Sequence, residues 1–78
     1  MKKNTLVTTN ENGKTTTTQL SASNVVALMT EYISNAFTYP ERFTYAADGV
    51  TGEHGENLIA HVITDALTKI SYTFVKEF

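Results

Sequence analysis

Seventy-eight residues with six basic and eight acidic side chains, for a net charge of −2, allow one small domain and lack the basic stripe that a nucleic-acid duplex requires. The absence of cysteine excludes a disulfide framework and any zinc–thiolate site. A chain this short buries only about 60% of the surface it exposes when unfolded, so self-association is an expected way of adding stability.

Lys2 and Lys3 precede a polar, threonine-rich stretch and not the apolar run of a secretory signal. No segment approaches the roughly 18 apolar residues of a membrane span, and a soluble, cytoplasmic protein is expected. Residues 4–21 predict a β-hairpin turning at Asn12-Gly13, because a type I′ turn needs positive φ at both central positions. That turn pairs Val7 with Thr18 and Thr5 with Leu20, placing Val7 and Leu20 on one face. Fourteen threonines stand in the chain, four of them at Thr15–Thr18. Such a ribbon reads as an exposed two-stranded sheet, or as an edge open to strand addition by a partner or another copy.

Ser21 or Ser23 can cap a helix over about 24–37, where Val25, Val26, Leu28, Met29, Tyr32, Ile33, Ala36 and Phe37 recur at helical spacing. Tyr39-Pro40 ends it, since proline moves the preceding residue out of the α region. Residues 38–54 form an irregular connection. Alternation of Phe43, Tyr45 and Ala47 permits a short strand there, and Pro40 permits one turn of helix instead. A second helix is expected over about 56–74, with Ile59, Val62, Ile63, Ala66, Leu67, Ile70 and Phe74 on one broad face. Residues 70–78 are apolar and β-branched enough for a strand, but no Gly, Pro or Asn separates them from that helix. The resulting fold class is α+β: one domain spanning 1–78, an N-terminal hairpin followed by two helices (ββαα).

Candidate chemistry is sparse. Gly49, Gly52 and Gly55 precede the second predicted helix, yet their spacing fits no phosphate-binding fingerprint, and Asp48, Glu53 and Glu56 would repel an anion. Asp48, Glu53, His54, Glu56 and His61 are metal-ligand types without a metal-ligand spacing, so no metal is assigned. His61 and Asp65, one helical turn apart, could form an acid–base pair, but no nucleophile stands in a recognisable elbow. No cofactor is called for. Thr64, Thr68 and Ser71 would make a small hydroxyl stripe on the second helix, suited to close approach of another helix in a dimer.

The function expected from these features is non-enzymatic: a small interaction protein of bacterial or phage type. It would work as a homo-oligomer, a dimer first of all, or as a stoichiometric inhibitor of a host protein, for example of a defence nuclease whose basic groove would accept negative charge. Membrane and nucleic-acid partners are not expected. The alternative is an oligomeric sponge for a small, nucleotide-like ligand. Tyr39, Phe43 and Tyr45 would then stack a ring, Arg42 would hold an anion, and the loop with Gly49 and Gly52 would close over it.

Overall fold

The computed structural model describes residues 1–77, so Phe78 of the 70–78 segment lies outside the described residues. Five strands and one helix follow in the order β1 (Thr5–Thr9), β2 (Thr15–Gln19), α1 (Ala22–Thr38), β3 (Phe43–Thr51), β4 (Asn57–Asp65) and β5 (Ile70–Glu77). The strands make a single antiparallel sheet in the order β2-β1-β5-β4-β3, and α1 crosses one of its faces. This overturns the two-helix ββαα fold: the predicted second helix over 56–74 is the hairpin β4–β5, and most of the predicted irregular connection, residues 38–54, is β3.

The first turn differs from the expected one by a single residue. β1 and β2 pair Val7 with Thr17 and Thr5 with Gln19, around a three-residue loop in which Gly13 takes a φ of 83°. Asn10 selects this loop, its side-chain oxygen accepting hydrogen bonds from the backbone N–H of Asn12 and Lys14, each 3.0 Å long. Because side chains alternate along a strand, the shift reverses the two faces. Leu6, not Val7, packs with Leu20 against the core.

The helix forms where capping and spacing place it. Ser21 is the N-cap, its hydroxyl accepting from Asn24 N–H at 3.1 Å, and the chain leaves the helix at Tyr39, just before Pro40. Val25 and Ala36 are buried, and Leu28, Met29, Tyr32 and Ile33 flank them over Leu6, Phe43, Ile63, Tyr72 and Phe74 of the sheet. Tyr32 sits edge-on to both Tyr72 and Phe74, with centroids 4.7 Å and 5.3 Å away, a geometry favoured by aromatic quadrupoles. Burial beside Phe74 pushes the Tyr32 hydroxyl pKa up.

The predicted helix fails because β4 lies inside the sheet and is apolar on both faces. Leu58, Ala60 and Val62 alternate with Ile59 and Ile63, which produces helix-like spacing from a nearly continuous apolar run. Asp65 supplies the turn that no glycine marks. Its carboxylate accepts from Leu67 N–H at 2.9 Å, Lys69 N–H donates to the Asp65 carbonyl at 2.8 Å, and Lys69 adopts a φ of 63°.

On the face away from α1, Thr5, Leu58, Ala60 and Val75 are buried at one end. The arm Met1–Asn4 lies on that side, since the Thr5 hydroxyl donates to the Lys2 carbonyl at 2.8 Å. The arm reaches the far edge, where Met1 N donates to the Thr51 carbonyl at 3.3 Å and Glu53 N–H donates to the Met1 carbonyl at 3.1 Å. An ion pair of 2.7 Å joins Lys3 to Glu77; it raises the lysine pKa and lowers that of the carboxyl. Both partners are more than half exposed, so the pair adds little to stability. No helix among the described residues is long and apolar enough to cross a membrane.

Candidate interaction surfaces

Three groups of residues with functional potential stand apart on the structure. The first is the pair Arg42–Asp65. Arg42 Nε and Nη2 donate to the two carboxylate oxygens at 3.1 Å and 3.0 Å, and the guanidinium lies 4.9 Å from the centre of the Phe43 ring. The bidentate contact holds the Asp65 carboxyl far below the usual carboxylate range, with help from the turn N–H groups, and raises the Arg42 pKa. Arg42 thereby ties the α1–β3 connection to the β4–β5 turn, where its carbonyl also accepts from Ala66 N–H at 2.8 Å.

An open cleft of about 350 Å³ beside it is lined by Asn35, Tyr39, Glu41, Arg42 and Phe43. Of the residues proposed to stack a ligand, Tyr39 is half exposed here, Phe43 is partly buried in the core, and Tyr45 points elsewhere. The Gly49–Gly55 region lies at the opposite end of β3, roughly 20–26 Å along the strand at its usual rise. Within one chain the glycine loop therefore does not close over Arg42. Gly52 serves the β3–β4 turn: Glu56 folds over it where a Cβ would fall, and the Glu56 carboxylate accepts from His54 N–H at 3.0 Å. That backbone hydrogen bond lowers the Glu56 pKa. Gly49 has open space where a side chain would stand.

The second group is aromatic and lies on the helix side of the sheet, at the β3 margin. Tyr45 and His61 are diagonal neighbours across β3 and β4 with nearly parallel rings 6.0 Å apart, and the Tyr45 hydroxyl and His61 Nδ1 share a hydrogen bond of 2.7 Å. Burial, and then the charge of Lys76, lowers the His61 pKa and favours the neutral ring. Phe37 stands 6.2 Å from Tyr45 and is 73% exposed. His61 and Asp65 therefore work with different partners, and the suggested acid–base pair is not formed. Among the described residues no group of three His, Cys, Asp or Glu side chains is arranged to hold a metal ion.

The third is the sheet face away from α1. Register and alternation put Thr15, Thr9, Ser71, Thr64 and Thr44 in one row across all five strands, with Thr17, Val7, Thr73, Val62 and Ala46 in the next. The Thr64 and Ser71 hydroxyls are 3.2 Å apart. These two residues face each other across β4 and β5, and Thr68 lies in the turn, so the helical stripe proposed for a dimer contact does not exist. The hydroxyl row escaped the sequence reading because its members come from five strands; only the register assembles it. Neither row carries a charged side chain.

No family model matches the chain, and no curated protein or solved structure matches it.

Proposed function

We propose that this chain is a small non-enzymatic interaction protein acting in the cytoplasm, as a homo-oligomer or as a stoichiometric inhibitor of a host protein. One observation carries the reading: the five-stranded sheet has a helix on one face only, and the other face ends in two uncharged rows of hydroxyl and methyl side chains. An uncharged surface of that composition avoids the cost of burying charge, needs partners for its hydroxyls, and suits a protein better than an ion or a phosphate. The groups that would carry chemistry are engaged internally, Asp65 by Arg42 and His61 by Tyr45, which weakens the sponge alternative in which Arg42 holds an anion.

The test is native mass spectrometry of tagged protein recovered from a bacterial lysate, beside the variant Thr73→Arg. Thr73 is central on the open face and half-buried, and its substitution adds charge there without entering the core under α1. A stoichiometric complex or homo-oligomer that the variant loses supports the reading. A bare monomer, or one carrying a small-molecule adduct that Arg42→Ala abolishes, overturns it.

A further inference from the structure

β3 forms one margin of the sheet, and bonds beyond both its ends show which way its backbone groups point. The Arg42 carbonyl accepts from Ala66 N–H, and Gly52 N–H donates to the Glu56 carbonyl, both at 2.8 Å. Bonded residues recur at every second position of an antiparallel pair, so the even-numbered residues of β3 bond to β4. The odd-numbered residues turn their N–H and C=O groups outward. The chain itself closes the two ends of that margin. Phe43 N–H donates to the Tyr39 carbonyl at 3.0 Å, and the Thr51 carbonyl accepts from Met1 N at 3.3 Å. Between them Tyr45, Ala47 and Gly49 present open backbone groups, symmetric about Ala47.

We infer that this stretch pairs with the same stretch of a second copy, antiparallel and two-fold symmetric about Ala47. The inference rests on the interaction reading above for a second copy as partner, but uses the β3 margin and not the open sheet face that Thr73→Arg probes. Ala47 then faces Ala47 of the partner subunit, and Tyr45 faces Gly49 of the partner subunit. Three such pairs exchange two backbone hydrogen bonds each. The Tyr45 ring leans inward over His61 of β4, and a glycine opposite it leaves the partner strand free to approach. Phe37, 73% exposed, stands 6.2 Å from the Tyr45 ring of the marginal strand. Pairing brings the partner subunit beside these two exposed aromatics, and the apolar area it covers there is the driving force that the margin offers.

The other margin lacks that force. By the same parity β2 turns Thr15, Thr17 and Gln19 outward, and its side chains are all hydroxyl or amide. No lysine, proline or positive φ guards Tyr45–Gly49 against strand addition, and its single charge, Asp48, alternates to the face away from Tyr45. The paired stretch is about 17 Å long at the usual strand rise, so the contact falls below the roughly 1,200 Å² of stable interfaces and a weak dimer, dissociating between about 1 µM and a few hundred µM, is expected.

Single-cysteine variants of the otherwise cysteine-free full chain test the register. Residues in a hydrogen-bonded pair stand about 5.5 Å apart at Cα, within reach of a disulfide. Ala47→Cys is expected to give a covalent dimer under mild oxidation at a yield about tenfold above that of Thr17→Cys, which reports on the β2 margin. Ala47→Lys is expected to weaken self-association in sedimentation equilibrium by about tenfold with an unchanged circular dichroism spectrum. Wild-type protein that stays monomeric at about 1 mM overturns the inference. So does equal cross-linking through Thr17→Cys, or a folded Ala47→Lys that associates as wild type does. A monomer that still forms the stoichiometric foreign complex removes only the second copy; a chain that does neither removes the interaction reading as well.

Discussion

Asp65 has a side chain that is 5% exposed, yet both its oxygens are engaged, by Arg42 and by the Leu67 N–H. Its pKa is depressed in the folded state, so the stability it contributes is present above the unfolded value of about 3.9 and is lost as pH falls toward the folded value. Asp65→Asn is expected to lower the urea midpoint at neutral pH and to flatten its decline between roughly pH 5 and pH 2. Parallel acid profiles for variant and wild type would show that another carboxylate governs the transition. Lys69, next in the same turn, holds a φ of 63° that disfavours a side chain. Lys69→Gly is expected to stabilise the protein by about 1 kcal/mol, read as a higher midpoint at unchanged slope. The general sequence rule sought a Gly, Pro or Asn at this turn. A buried aspartate with an αL lysine does the same job, and only the Arg42 partnership identifies it.

At the scale of elements, the segment 57–77 separates a helix from a hairpin by what each would bury. A helix over 56–74 would seat Leu67 on its apolar face, whereas in the hairpin Leu67 is at the turn and 71% exposed. Leu67→Lys is therefore expected to change stability by less than about 0.5 kcal/mol, and Ile63→Ala, at a fully buried position beneath α1, to cost about 2–5 kcal/mol. Comparable losses from both in denaturant titrations would contradict the hairpin. α1 was legible because its periodicity, Ser21 cap and Pro40 stop agree with one another. β4 was not, because an inner strand needs apolar side chains on both faces, and any such run satisfies helical spacing as well. The β1–β2 hairpin was legible in kind and wrong in register: Asn12-Gly13 names a turn, but Asn10 bonding to Asn12 and Lys14 selects the longer loop that carries Leu6 inward.

Across the whole molecule, closure depends on β5 entering between β1 and β4, which pairs Thr5 with Val75. Contacts of that sequence separation are made late and slowly, so folding on the millisecond-to-second scale of sheet proteins is expected despite the chain's small size. Stopped-flow tyrosine fluorescence reads this directly, and submillisecond folding would mean that local structure dominates the barrier. The same closure decides the candidate surfaces. It assembles the hydroxyl rows from five strands, leaves Tyr45–Gly49 as an open margin, pairs His61 with Tyr45 and spends Arg42 on Asp65. Tyr39, Phe43, Tyr45 and Arg42 were marked in the sequence by composition alone, and the fold divides them between core, cleft and margin. Without tertiary context the sequence determined the elements that local rules specify: a hairpin with glycine at its turn, a capped helix ended by proline, and a chain with no disulfide to stabilise it. Tertiary structure alone decided the class of the C-terminal half, the strand register and which residues face water, because these depend on partners far apart in the chain that no local pattern encodes.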